Sequence, residues 1–416
     1  MAWSKGMSRS LKRFLTAAMC LALCITVGCK KEEQKNLEKE GFCADVSVFD
    51  CLQGQSFCDK GMVQIEEGLM MFYEYETGRN YPLCSDAYCE HLPYDESTNP
   101  DPVCEATMKE LKTACVYGDY VYTIQETGIQ EITVQSRDLK ESGYRMVAKL
   151  PYCQTFSTSG LNAVIGDKAY LLLAEIDNLE DDGITQTYTS NDLYTYLVEL
   201  DLKTGEYKTL FHIDGEEKYK ILQTVYGEEG VYCRCYYEDI EMNEDYTNFS
   251  VNDYREAFYY IAYDGSEVKE LCQELVEVTA FGGGELPTVM VSGINERGAF
   301  LPNAEGTKVE YYRFDGEKEI VVTLPEGYER LSVNGVGEDV LLLTLITPEK
   351  TYETMGLDLT TKQLIAQKDS EYVNYSAVYD GAFWKYCSDE TGEYRELWMY
   401  EDIFLEEGKP LLSVRE

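Results

Sequence analysis

The chain has 416 residues, 76 acidic against 36 basic side chains, a net charge of −40, 35 tyrosines and 15 cysteines. So acidic a surface argues against binding nucleic acid or anionic lipid through a basic patch, and leaves cations and basic partners as the charged ligands it can attract. The length allows two domains, but a repeated unit running nearly to the end argues for one large β domain.

Lys5, Arg9, Lys12 and Arg13 precede an apolar run, Leu15 to Val27, that is short for a bilayer span and ends in small residues. This is the pattern of a secretory signal over residues 1–28. Its removal takes four basic and no acidic residues and moves the net charge from −40 to −44. Ile25 to Cys29 resembles the lipobox of bacterial lipoproteins, where a small residue precedes the cysteine that is lipidated and becomes N-terminal. Thr26 departs from the aliphatic residue usual there. The resemblance implies lipidation of Cys29 and a place on the extracellular face of the cell membrane, since two or more acyl chains anchor stably where one does not. A plain signal peptide or an uncleaved anchor is the other reading. Within residues 29–43, Lys30 to Glu40 is charged and aperiodic and suits a solvated tether.

From residue 44 onward the chain repeats itself. Two alternating runs from Leu197 to Leu210, joined at Gly205, predict a β-hairpin. This outer hairpin recurs at Phe72 to Leu83, Tyr259 to Leu271, Tyr311 to Leu324 and Met355 to Ile365, the last turning at Thr360 and Thr361. Inner hairpins turning at glycine are predicted at Ala114 to Ile124, Asn162 to Leu173, Gln223 to Tyr236, Thr279 to Val291 around Gly282 to Gly284, Leu331 to Leu345 at Gly335, and Ser376 to Tyr386. Four strands per unit, at a spacing of about 40 to 60 residues, predict an all-β fold: a β-propeller of seven four-stranded antiparallel blades over residues 44–416, with six or eight the alternatives. Ala44 to Asp50 or Met62 to Ile65 supplies the missing inner strands or closes the ring. A pair of β-sandwiches explains the short strands but not the period. The tyrosines suit strand faces and blade interfaces before any sugar platform.

In such a blade the second turn and the connection to the next blade share one face. The long segments Glu175 to Asp192, Glu238 to Asp253, Gly293 to Lys308 and Cys84 to Lys112 therefore all emerge there, and a site is expected on that face. Asp177, Glu180, Asp181 and Asp182 can gather calcium, but their spacing is not that of an EF-hand, and a solvated acidic loop is the plainer reading.

The chemically distinctive stretch is the loop 84–112, with Cys84, Cys89 and His91, then Cys104 after a segment containing Pro93, Pro100 and Pro102. Three thiolates and an imidazole are a ligand set for tetrahedral, structural zinc, with Asp86 or water as substitute for Cys104. A disulfide from Cys84 or Cys89 to Cys104 is the rival after secretion, and free thiols are the third reading. With Pro82 and Leu83 ahead of these ligands, the chain resembles uncharacterised propeller lipoproteins of Gram-positive gut anaerobes that carry a Cys-x4-Cys-x-His loop and a further cysteine. The resemblance supports the fold from about Phe72 onward and the location, and implies no activity.

Cys115, Cys233, Cys235, Cys272 and Cys387 read as structural thiols on strands, and His212 ends an outer strand without a recognisable catalytic partner. No nucleophile elbow, phosphate loop or metalloprotease helix is present. Two function classes follow: a surface-anchored binding scaffold for a protein, glycan or small molecule, and an extracellular hydrolase or lyase using acidic groups on the same face. Fold cannot choose between them, and the absence of a catalytic motif favours the scaffold.

Overall fold

The computed structural model describes residues 46–50, 55–58, 60–107, 112–128, 130–139, 141–154, 162–176, 180–181, 186–187, 193–214, 219–242, 249–278, 281–282, 291–366, 377–378, 382–399, 402 and 408–415. Its regular elements are β-strands. Strand β1 (Val46–Asp50) precedes blade 1, made of β2 (Gln55–Phe57), β3 (Gly61–Glu66), β4 (Leu69–Glu74) and β5 (Asn80–Pro82). Blade 2 holds β6 (Lys112–Tyr117), β7 (Tyr120–Gly128), β8 (Glu131–Asp138) and β9 (Arg145–Leu150). After β10 (Cys153–Gln154), blade 3 comprises β11 (Asn162–Ile165), β12 (Lys168–Ile176), β15 (Leu193–Asp201) and β16 (Tyr207–Phe211), with a small ribbon of β13 (Glu180–Asp181) and β14 (Gln186–Thr187) between β12 and β15. Blade 4 is β17 (Lys220–Tyr226), β18 (Gly230–Met242), β19 (Phe249–Ala262) and β20 (Val268–Val278), with β21 (Phe281–Gly282) added to the far part of β19. Blades 5, 6 and 7 follow as β22 (Gly293–Asn295) to β25 (Lys318–Thr323), β26 (Arg330–Val336) to β29 (Leu364–Ala366), and β30 (Ala377–Val378) to β33 (Leu412–Arg415). Each blade is an antiparallel meander of four strands, and the seven form a ring: a seven-bladed β-propeller, as the repeat predicts.

Strand alternation explains how one strand serves two interfaces. In β12, Leu171 and Leu173 pack with Ile132, Val134 and Leu150 of blade 2, whereas Tyr170 and Leu172 pack with Ile221, Val231 and Cys233 of blade 4. Successive side chains point to opposite sheet faces, so a strand covered on both faces must be apolar throughout. The organising hairpin forms as expected. Asp201 Oδ1 accepts from the backbone N–H of Lys203 and Thr204, and Gly205 closes the turn at φ 75°. A Cβ at Gly205 would stand 2.3 Å from the Val147 carbonyl oxygen, so this position needs glycine for its backbone and for its contact with blade 2.

The ring closes between blade 7 and blade 1 without strand exchange, since all four strands of blade 7 come from the C-terminal part of the chain. Across this seam Arg395 of the third blade-7 strand donates to Glu66 of β3 at 2.6 Å. Met62 to Ile65 lies within β3, while β1 takes a different place. It runs antiparallel to the inner strands of both blade 1 and blade 3, pairing Val48 with Phe57 and Val46 with Ile165, beside the inner strand of blade 2.

The structure corrects four expectations. The inner hairpin of blade 5 turns at Glu296 and Arg297, not at Gly282 to Gly284, because Asn295 Oδ1 accepts from the N–H of Arg297 and Gly298. Gly293 to Lys308 is therefore inner hairpin and tight second turn, not a long loop. The inner turn of blade 6 lies at residues 337–339, and Gly335 sits at a register shift. Within Glu238 to Asp253, residues 238–242 and 249–253 extend the β18–β19 ladder, Met242 pairing with Phe249, and residues 243–248 lie outside the described residues. Residues 1–43, including Cys29, and the carboxylates of Asp177 and Asp182 lie outside the described residues. No helix among the described residues is long and apolar enough to cross a membrane.

Candidate metal centre

The loop between blades 1 and 2 begins where Pro82, which has no N–H to donate, ends the short β5. Leu83 turns inward and its N–H bonds the Met70 carbonyl at 2.8 Å. Asp86 Oδ1 then accepts from the Tyr88 N–H at 2.8 Å, and the Cys89 N–H bonds the Asp86 carbonyl at 3.2 Å, a side-chain-supported turn. His91 takes a left-handed conformation with φ 51°, unusual for a non-glycine residue, and its N–H points at Cys89 Sγ, 3.4 Å away.

The proline-bearing segment is well folded. Asp95 Oδ1 accepts from both the N–H and the hydroxyl groups of Ser97 and Thr98, which hold its carboxyl down at about 2, the Ser97 hydroxyl contributing most. Asn99 donates to the carbonyls of Leu92 and Pro93. These bonds fold the segment back, so that Cys104 to Thr107 runs beside β4: the Met70 N–H bonds the Ala106 carbonyl at 2.8 Å and Thr107 bridges Leu69.

The result is that Cys84, Cys89, His91 and Cys104 come together, with one ligand atom from each and all four within 4.8 Å of one another. Cys104 Sγ stands 3.5 Å from His91 Nδ1. A tetrahedral zinc with bonds of about 2.3 Å to sulfur and about 2.0 Å to nitrogen requires a sulfur–nitrogen edge of about 3.5 Å. The donor set fits a metal such as zinc, and Nδ1 is the imidazole atom turned toward it. Asp86, the alternative ligand, is not among the four converging groups, and its Oδ1 supports the turn at Tyr88. Cys84, Cys89 and Cys104 each carry a free thiol in this structure. Burial, followed by the neighbouring Cys89 and Cys84 sulfurs, pushes the Cys104 thiol up to about 11. Crowded sulfurs resist losing their protons unless a cation balances the charge.

Two residues beneath the loop carried no motif. Arg137 of β8, 2 % exposed, donates from Nη2 to the Leu83 carbonyl at 2.9 Å, and its other amino nitrogen lies 3.7 Å from Glu105 Oε2. Glu105 also accepts from the Ser85 N–H and hydroxyl and from the Gly143 N–H. Burial opposes its charge, but these donors and Arg137 hold the carboxyl below the ordinary range. The two side chains fix the centre to blades 1 and 2 together.

No protein-family model and no curated protein sequence matches the chain. Among solved structures it is similar to an oligogalacturonate lyase in complex with manganese, at 10 % identity over 68 % of this chain and 72 % of that one, with a TM-score of 0.40. It is similar also to prolyl oligopeptidase B from Galerina marginata, at 11 % identity, 99 % and 56 % coverage and a TM-score of 0.47. The β-propeller domain of the Trilobed protease from Pyrococcus furiosus matches at 13 % identity, 68 % and 81 % coverage and a TM-score of 0.34. The chain spans just over half the length of the prolyl oligopeptidase.

The other singled-out residues fall elsewhere. His212 has a partner that sequence reasoning missed, Asp214, 2.8 Å from Nε2, and its ring lies 5.1 Å from that of Tyr196. Cys115, Cys233 and Cys235 are buried, the last two facing blade 3 together, and Cys272 and Cys387 are half-buried. Glu180 and Asp181 lie on the β13–β14 ribbon, for which the backbone alone is described.

Proposed function

We propose that the chain is a lipid-anchored surface protein whose propeller is a binding scaffold, its long-loop face organised by one structural zinc ion held by Cys84, Cys89, His91 and Cys104. The convergence of three sulfurs and an imidazole nitrogen within 4.8 Å carries this reading. Bound zinc supplies the charge that keeps three thiolates together and cross-links the loop. The His91 N–H aimed at Cys89 Sγ is the kind of outer contact that supports a thiolate ligand. Four protein ligands leave no position for water or substrate, which favours a structural centre and a scaffold over an extracellular hydrolase or lyase. Anchoring is supported by the basic run and by Gly28 and Cys29 in the sequence.

Freshly prepared, reduced protein is expected to carry about one zinc per chain, released by a chelator, with occupancy lowered by Cys89→Ser and by His91→Ala. Metal analysis that finds neither zinc nor iron sinks the metal. Two thiols missing under denaturant, with His91→Ala silent, establishes a disulfide instead. Labelled fatty acid should enter the wild type and not Cys29→Ala, and equal labelling of both removes the anchor.

A further inference from the structure

Three of the four ligands of the Cys/His centre have a large apolar neighbour in water. Tyr88 precedes Cys89, Leu92 follows His91 and Val103 precedes Cys104, at exposures of 96 %, 53 % and 95 %. Tyr88 and Val103 stand apart from the other exposed large apolar side chains among the described residues, which reach 36–55 %, Leu92 among them. Each of the three is the immediate chain neighbour of a ligand whose donor atom lies within 4.8 Å of the others, so all three flank the same centre on the connection between blades 1 and 2. Removing Tyr88 or Val103 from water would gain free energy, and the Tyr88 backbone is held in its exposed turn by Asp86.

The surrounding charge is of one sign. Asp86, Glu90, Asp95, Glu96 and Asp101 are exposed, and residues 80–107 contain no lysine or arginine. An apolar centre within a polar rim is the anatomy of a protein–protein contact. The acidic rim repels anionic lipid, and the charge of −40 repels a second copy of the chain. It attracts lysine and arginine.

On the basis of the metal-organised scaffold proposed above, we infer that Tyr88, Leu92 and Val103 form the apolar heart of a docking surface for a protein segment in which an apolar side chain is flanked by basic residues. Zinc then does more than tie down a loop: it adds to the turn bonds a cross-link that fixes the spacing of the three anchors. Affinity comes from burying the anchors, and the rim supplies steering and selectivity.

The probe is a fluorescein-labelled peptide alternating lysine with phenylalanine and leucine, followed by anisotropy against the zinc-loaded full chain. Its control replaces the apolar residues by serine at equal charge. The triple variant Tyr88→Ser, Leu92→Ser, Val103→Ser keeps every carboxylate, and exposed positions should leave thermal stability and zinc content unchanged. It is expected to bind the peptide at least about tenfold more weakly than wild type. Chelation should cost the wild type a similar factor and the variant little. Equal binding by variant and wild type overturns the docking surface, as does equal binding of the serine peptide. Sedimentation of wild type, and not of the variant, with phosphatidylcholine or phosphatidylglycerol vesicles overturns it in favour of a membrane. Zinc measured on the same samples separates the two readings. Loaded protein without apolar dependence sinks the docking surface alone, whereas zinc-free protein sinks the metal centre beneath it.

Discussion

In blade 6, Leu331, Leu341, Leu343, Leu345 and Leu357 are each at most 1 % exposed and pack against Phe300, Val309 and Val322 of blade 5. Across the Cys84 to Thr107 loop, only Cys104, Ala106 and Thr107 are buried, and the path is set by turn side chains, by Glu105 and Arg137, and by the four converging ligand groups. One region is held by non-directional burial that tolerates small shifts. The other is held by directional bonds that fail when a single atom moves. Such a difference suits a rigid ring that displays a loop whose shape can be set separately.

The largest expected effect comes from breaking the ring. A chain ending before Tyr375 loses blade 7 and the Arg395 to Glu66 contact, exposes strand edges, and should lose its cooperative thermal transition. Full thermal stability of that truncation would count against a single closed ring. Within the burial-held region, Leu343→Ala should cost about 3 kcal/mol in urea unfolding and leave zinc content unaltered in the folded protein. A coupled fall in zinc would show that the two regions are not independent.

Arg137→Met should do the reverse. Removing a buried guanidinium leaves the Leu83 carbonyl without its donor and Glu105 without the neighbouring cation, at a cost of about 2 kcal/mol. Its clearer readout is faster proteolysis between residues 84 and 107 and easier zinc release. Unchanged proteolysis would mean that the ligands alone order the loop.

The smallest effect is a pH dependence at the ring seam. Burial first, then hydrogen bonding to Glu66, raises the Tyr73 phenol from 10.0 to about 12. A raised pKa in the fold means that its contribution is complete below about pH 10 and is lost as pH climbs toward about 12, because the unfolded chain ionises first. Tyr73→Phe should therefore flatten the decline of the urea midpoint over that window. An identical slope in both proteins would exclude Tyr73 as a source.

Local chemistry was legible in the sequence: strand alternation, the period of the repeat, the turn built by Asp201 and Gly205, and the ligand types at Cys84, Cys89 and His91. Each depends on residues within a few positions of one another, so it survives in a linear reading. Glycine density around Gly282 misled where Asn295 set the turn instead, though Asn295 to Gly298 carried the signal. Only the tertiary structure placed β1 between blades 1 and 3, set Arg137 beneath Glu105, and brought Cys104 to His91 across a proline-bearing segment. Strand partners and converging ligands depend on which surfaces meet when the ring closes, and a single sequence states the groups available without stating which distant ones will face each other.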